Sequence, residues 1–222
     1  MICHKNMPVF VTSTMRSARE TAHDRILKAL RSKGPGAVVA LRDLVDVGDE
    51  PAIRQALSRA VRSGEIRRAA RGMYTVPVRD RQLGPLSTTA EAVVDALQSR
   101  DGIRLLPSGA HAANLLGLST QVPVQMVFLT DGPTRRIRLG KREIVLKRTT
   151  PRQMATAGRV SGTVIQALRW MGRDRIDEAM VQTLRRTLKV QDRKRLLADA
   201  RFAPAWVGEV LRRVAAADSK GA

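Results

Sequence analysis

Residues 50–63 constrain this chain more than any other stretch. Ile53, Ala56, Leu57, Ala60 and Val61 recur at i, i+3, i+4, i+7 and i+8, the spacing of a helix with one core-facing stripe. Gly48-Asp49 opens that helix, Ser63-Gly64 closes it, and Pro51 falls in its first turn, where a missing N–H is harmless. The flanks are ordered too. Upstream, Ala22, Ile26, Leu27 and Leu30 form a stripe in a helix over residues 16–32, which Gly34-Pro35-Gly36 stops. Ala37-Val38-Val39 is a short apolar segment able to pair as a strand, and residues 41–45 make one or two helical turns. Downstream, residues 65–68, 69–72 and 73–76 read as strand, turn and strand, closed by Pro77. Helix, strand, short helix, turn, helix and two-stranded wing is the order of a winged helix-turn-helix, here placed at residues 16–78.

Such a domain buries one side of its third helix and offers the other to a major groove. The free side here carries Arg54, Gln55, Ser58, Arg59 and Arg62, and its one acid, Glu50, stands at the very start. Arginine reads guanine bidentately, glutamine reads adenine, and serine contacts a base or a phosphate. The wing adds Arg67, Arg68 and Arg71, with Tyr74 after the turn, and the short second helix adds Arg42. These reach phosphates or the minor groove. The competing reading is a solvated face on a protein-interaction module. The helix and the wing are cationic together, which favours DNA.

The whole chain leans the same way. Its 222 residues carry 40 Lys+Arg against 20 Asp+Glu, a formal net charge of +20. Thirty-two of the basic residues are arginine, which suits phosphate pairing, although a GC-rich genome also favours arginine codons. Codon bias does not explain acids outnumbered two to one, so a polyanion is the expected partner. The excess is spread out: +7 over residues 1–78, +5 over 79–150 and +8 over 151–222. An anionic membrane is the weaker match, because aromatics are only 3% of the chain. The longest apolar run, residues 37–41, is far short of a bilayer span, and the first fifteen residues lack the apolar core of a secretory signal. A cytoplasmic location is expected. A hydrophobic fraction of 43% excludes a disordered basic tail protein.

Residues 1–15 have no periodicity and are expected to be a flexible tail, with Met7 and Met15 as alternative starts. Residues 79–86, with Gly84 and Pro85, read as a linker or boundary, and 79–222 as a second, larger domain. There Ser87 is expected to cap a helix to Arg100, residues 103–106 to form a strand, and Ser108 to cap a short helix through Leu116. Residues 124–129, 135–139 and 143–147 are strand candidates, with residues 130–133 a hairpin turn; from Val160 onward the pattern is helical. Trp170 and Trp206 lie on apolar helical stretches and read as core, and Asn114 as a buried hydrogen-bonding group. The fold class is α+β: an N-terminal winged helix-turn-helix plus a larger C-terminal domain of short β-strands and several α-helices.

No constellation for catalysis emerges. His4, His23 and His111 lie far apart without metal-ligand spacing, and Cys3-His4 sits in the tail. Neither the phosphate-loop nor the dinucleotide glycine pattern occurs. Asp131 followed by Glu143-Ile144-Val145 comes nearest to a metal-dependent nuclease, but Val145 stands where that chemistry wants lysine. Asp174, Asp177 and Glu178 are surrounded by Arg173, Arg175, Arg185 and Arg186 and read as surface ion pairs. Ser108 reads as a cap rather than a nucleophile. No catalytic residue, cofactor or metal is expected.

Residues 105–123, LLPSGAHAANLLGLSTQVP, and residues 127–133, VFLTDGP, with the basic strands after them, form a distinctive pair. They resemble the AbiEi-type antitoxins of bacterial type IV toxin–antitoxin and abortive-infection systems. Residues 55–59, 64–68 and 71–74 are similar to that family's winged-helix start. The resemblance spans about residues 20–215, and residues 108–118 are its most specific part. It implies a winged helix that binds inverted repeats in operator DNA and represses its own operon. It also implies a C-terminal domain that counteracts a nucleotidyltransferase-like toxin, for which direct contact is not required. It assigns no individual C-terminal residue. The strongly basic residues 151–222 add a possible RNA contact. The alternatives are a winged-helix regulator without antitoxin activity and an RNA-binding or RNA-processing protein.

Overall fold

The computed structural model describes residues 21–80, 82, 84–86 and 88–216. The expected tail with Cys3, His4, Met7 and Met15, the first residues of the expected first helix, and Ser87 lie outside the described residues. Helix α1 (Ala22–Ser32) starts on Thr21, whose hydroxyl accepts the Asp24 N–H while Asp24 accepts the Thr21 N–H in return. Strand β1 (Val38–Ala40), a 3-10 helix (Leu41–Val47) and helix α2 (Glu50–Arg62) follow. Strands β2 (Arg67–Ala70) and β3 (Met73–Thr75) complete a three-stranded sheet in the order β1-β3-β2, the winged arrangement. The tight turn between them passes through Gly72 at φ +71°, a conformation that favours glycine. Ile26, Leu30, Leu44, Ile53, Leu57 and Ile66 fill the core beneath α2.

Residues 79–86 are not a plain linker. Strands β4 (Arg79–Asp80) and β5 (Gly84–Pro85) pair antiparallel, and the Leu86 N–H donates to Val78. Helix α3 (Ala90–Asp101) is capped by Thr89, whose hydroxyl accepts the Ala92 N–H.

Strands β6 (Leu105–Ser108), β7 (Gln125–Thr130), β8 (Arg135–Leu139) and β9 (Arg142–Arg148) form a sheet in the order β6-β7-β9-β8. The hairpin expected at residues 130–133 is therefore a crossover. Strand β9 lies between β7 and β8, parallel to β7 and antiparallel to β8. Arg104 pins the crossover, its guanidinium donating to Asp131 at 2.8 Å and its N–H at 2.9 Å.

One sheet face packs on α3. Met73, Val38, Ala69 and Ala70 of the wing sheet share that core, so the wing and the C-terminal sheet are joined by packing as well as by the chain. The other side meets helix α4 (Gly109–Leu115) and helix α6 (Val160–Met171). The short helix α5 (Pro151–Met154) precedes α6. Helices α7 (Glu178–Thr187), α8 (Val190–Asp199) and α9 (Ala205–Ala215) close a helical core around Val164, Leu168, Leu184, Leu196, Val207 and Leu211. Buried Asp199 ties α8 to α6, accepting from the Ser161 hydroxyl and from Arg159 at 2.6 Å. Ser108 does precede α4, but its hydroxyl makes no cap; it lies 3.4 Å from Gln166 Oε1. Asn114, expected to be a buried hydrogen-bonding group, does make hydrogen bonds, donating to the carbonyls of Ser119 and Gln121, but is only half-buried. Trp206 packs against the helical core, whereas Trp170 does not join it and is 42% exposed.

Two stability tests follow. A Cβ on Gly162 would collide with the backbone carbonyl oxygen of Thr156 and meet Leu106 Cδ1 at 2.8 Å and the Thr156 hydroxyl at 2.9 Å. Gly162→Ala is expected to cost about 1–3 kcal/mol through overpacking, read as a lowered urea midpoint, and an unchanged midpoint would contradict this contact. His111 is buried with its ring 5.0 Å from that of Phe128, and burial pushes its pKa below the ordinary 6.5, opposed by the charge of Glu91. The unfolded chain then takes up the proton more readily. The stability of the neutral form is fully present above the unfolded value and lost as pH falls below it. His111→Leu should flatten that acid-side slope; an identical slope in the variant would exclude His111 as its source.

Candidate nucleic-acid interface

Helix α2 buries Ile53, Ala56, Leu57 and Ala60. Val61, expected in the same stripe, is 37% exposed. At 3.6 residues per turn it lies about 80° around the helix from Ile53, at the edge of the buried sector. The opposite side leaves Arg54, Gln55, Ser58, Arg59 and Arg62 exposed. They are not equivalent. Arg54 donates to Glu50 at 2.9 Å through Nε, an exposed pair one turn apart whose strength is only about 0.3–0.5 kcal/mol. Among the described residues no ion pair involves Arg59 or Arg62, nor Arg42 on the 3-10 helix. Gln55, Ser58, Arg59 and Arg62 are thus the side chains of α2 presented without an internal anion.

The wing residues divide. Arg68 stands opposite Tyr74 and Arg67 opposite Thr75 in the ladder, and directly opposed residues share a face. Tyr74 packs against the winged-helix core, so its ring supports the domain more than it reaches outward. Thr75 is buried on the side of Met73, which faces α3 and the C-terminal sheet. Arg67 and Arg68 therefore leave β2 in opposite directions, while exposed Arg71 sits in the turn. The sequence reading placed all of these on one surface; strand alternation separates them.

What the sequence reading missed is the neighbour of the wing. Strand β2 is one edge of its sheet, β8 is the edge of the C-terminal sheet, and the two edges lie side by side. Along β8, Arg136 and Arg138 point to the exposed face and Ile137 and Leu139 to the core side. Arg136 makes only a 3.5 Å contact with Glu143. Arg135 points the other way, into a pair with Asp101, whose carboxyl is held below the ordinary carboxylate value first by Arg100 and then by Arg135. A cleft of about 1060 Å3 lies between wing and hairpin, lined by the β2 stretch 67–69 on one side, by Lys141 and Arg142 on the other, and by Glu91 and Asp95 of α3. The signal was present as period-2 alternation in residues 136–139. Without the topology nothing placed it beside the wing.

The residues considered for chemistry stay apart. Glu143 pairs in register with Gln125 at the start of β7, while Asp131 follows Thr130 at its end, so the two acids occupy opposite ends of the sheet. Glu178 pairs with Arg213 at 2.7 Å, and Asp177 caps α7 through the Met180 N–H. Among the described residues no three His, Cys, Asp or Glu side chains are grouped to hold a metal. No described helix is long and apolar enough to cross a membrane.

A family model described as DUF6088, family of unknown function, matches residues 25–196. The chain belongs to the DUF6088 family. The match runs from α1 into α8, so it takes in the winged helix, the four-stranded sheet and most of the helical core. No curated protein matches the sequence. Among solved structures, the chain is similar to the RV2827C protein from Mycobacterium tuberculosis, at 15% identity and a TM-score of 0.45, covering 86% of this chain and 81% of that one.

If a duplex lies against this surface, the two groups of arginines should have separable effects on its binding. Arg59→Ala or Arg62→Ala is expected to lower affinity for the specific duplex by about 1–3 kcal/mol if the side chain reads a base. An Arg136→Ala/Arg138→Ala double variant should instead weaken all duplexes alike and lower the salt slope by about 0.9 per lost phosphate contact. Titration by fluorescence anisotropy at several salt concentrations separates the two, and an unchanged slope in the double variant would remove β8 from the interface.

Proposed function

We propose that this protein is a DNA-binding antitoxin that represses its own operon through its winged helix and counteracts a nucleotidyltransferase-like toxin through its C-terminal domain. The observation that carries the DNA-binding half is the outer side of α2. It exposes Gln55, Ser58, Arg59 and Arg62 on a helix whose other side is fully committed to the core. Guanidinium, amide and hydroxyl groups at that spacing suit the donor and acceptor pattern of a major groove. The flanking Arg42, Arg68 and Arg71 suit phosphates, which set register without reading sequence. Operator inverted repeats would seat two copies about a local two-fold axis. A cytoplasmic location fits an operator-binding role.

The antitoxin half rests on the likeness of residues 105–123 to AbiEi-type antitoxins. That stretch forms β6, α4 and the following loop, where Ala112 and Ala113 are buried and Asn114 holds the loop closed.

Gel shift on the DNA upstream of the protein's own gene, with an Arg54→Ala/Arg59→Ala/Arg62→Ala variant, tests the first half. The wild type is expected to bind specifically and the variant at least about a hundredfold more weakly, given about 1–3 kcal/mol per base-reading arginine. Equal binding by both would sink the assignment. Co-expression with a neighbouring toxin tests the second half. The triple variant should lose repression yet still rescue growth. Failure of the wild-type chain to rescue would leave a winged-helix regulator without antitoxin activity.

A further inference from the structure

Trp170 is the large aromatic side chain that the core does not explain. It lies in the last turn of α6, is 42% exposed, and its Cδ1 lies 3.7 Å from where a Cβ on Gly109 would stand, so one edge of the indole is braced by the start of α4. It lines a pocket of about 390 Å3 with Ser119, Thr120, Gln121, Met171 and Arg175. That volume falls within the roughly 300–1,000 Å3 of small-ligand sites. The loop that lines the pocket is tied by hydrogen bonds. Asn114 donates to the Ser119 and Gln121 carbonyls at 3.1 and 3.2 Å, the Leu118 N–H donates to Ala113, and the Gln121 N–H donates to the Ser119 hydroxyl.

The surrounding charge is positive. Arg169, Arg173 and Arg175 stand against the single acid Asp174 over residues 169–175, and all three arginines are exposed. The next two acids are engaged elsewhere, Asp177 as a helix cap and Glu178 with Arg213. Among the described residues no ion pair involves Arg169, Arg173 or Arg175. A braced indole, an adjacent free guanidinium and a wall of hydroxyl and amide groups match the three parts of a nucleotide. An aromatic face stacks a base, a cation meets its phosphate, and short polar side chains meet the edges of base and sugar. Duplex bases are already stacked on one another, so only an unpaired base can use the indole.

We propose that the Trp170 pocket binds an unpaired nucleotide of a single-stranded nucleic acid, as a second nucleic-acid site distinct from the duplex-facing side of α2. Leu115, Val122 and Val124 are exposed on the same loop and helix, so an apolar protein partner is the competing occupant. The arginines and the polar wall favour the nucleotide. Because this pocket and α2 are on different elements, the two sites fail or stand independently.

Fluorescein-labelled short RNA and DNA oligonucleotides of one sequence, titrated with the full-length chain, test the site, with a labelled duplex measured in parallel. The wild type is expected to bind at least one single strand, and the stronger arm says whether RNA or DNA is the source. Trp170→Ala should weaken that binding about tenfold and Trp170→Phe less. Arg175→Ala should lower its salt slope by about 0.7. Duplex affinity should stay unchanged in all three variants. In a Trp206→Phe chain, where Trp170 is the remaining indole, the preferred single strand should quench fluorescence to saturation. Wild-type affinity of Trp170→Ala for both single strands overturns the inference, as does an absence of quenching.

Discussion

The packing of the wing sheet onto the C-terminal sheet is the contact on which the rest of this structure depends. Met73 is buried in a core that also contains Val93, Leu97, Leu105, Ile144 and Leu146, with Val38, Ala69 and Ala70 packed against it. Full burial of one side chain of that size is worth about 1.5–3 kcal/mol, and several act together here. The wing therefore has two buried sides: Tyr74 and Val39 meet the winged-helix core, and Met73 and Thr75 meet α3 and its sheet. A wing held in this way presents Arg68 and Arg71 from a fixed frame, and it sets β2 alongside the arginine-bearing edge of β8. The exposed arginines of the wing and of β8 are thereby brought near one another.

Much of the winged helix was legible because its signals are local. A stripe at helical spacing, a proline in a first turn, a glycine after the last turn and a glycine-bearing turn between two strands are each written within a few residues, although the turn expected at residues 69–72 is only residues 71–72, because β2 runs on through Ala70. The buried Ile53, Ala56, Leu57 and Ala60 and the exposed Arg54, Gln55, Ser58, Arg59 and Arg62 follow directly from them. The α+β class was legible for the same reason, since strands and helices alternate with clear punctuation through residue 148 and helices follow.

What escaped the sequence depended on partners distant in the chain. The parallel pairing of β7 with β9 cannot be seen from the segment between β7 and β8, which reads as an ordinary turn. The exposure of Val61 reflects how wide a sector the core covers. Trp170 sits on an apolar stretch, but in the last turn of α6 its indole meets the start of α4 at one edge and stays 42% exposed. The division of Arg67 from Arg68 needed the identity of each wing face. Arg54, assigned to base reading, is already paired with Glu50 one turn earlier, a spacing that was present in the sequence all along.

The central claim is that duplex DNA lies against α2, the outward side of the wing and the β8 edge. Arginine-specific modification by phenylglyoxal, mapped by mass spectrometry with and without the upstream duplex, measures this residue by residue. The account predicts that the duplex protects Arg59, Arg62, Arg68, Arg71, Arg136 and Arg138, while Arg186 and Arg212 on the far helices stay reactive. Protection confined to the arginines of α7 to α9, with Arg59 and Arg62 as reactive as in the free protein, would contradict it.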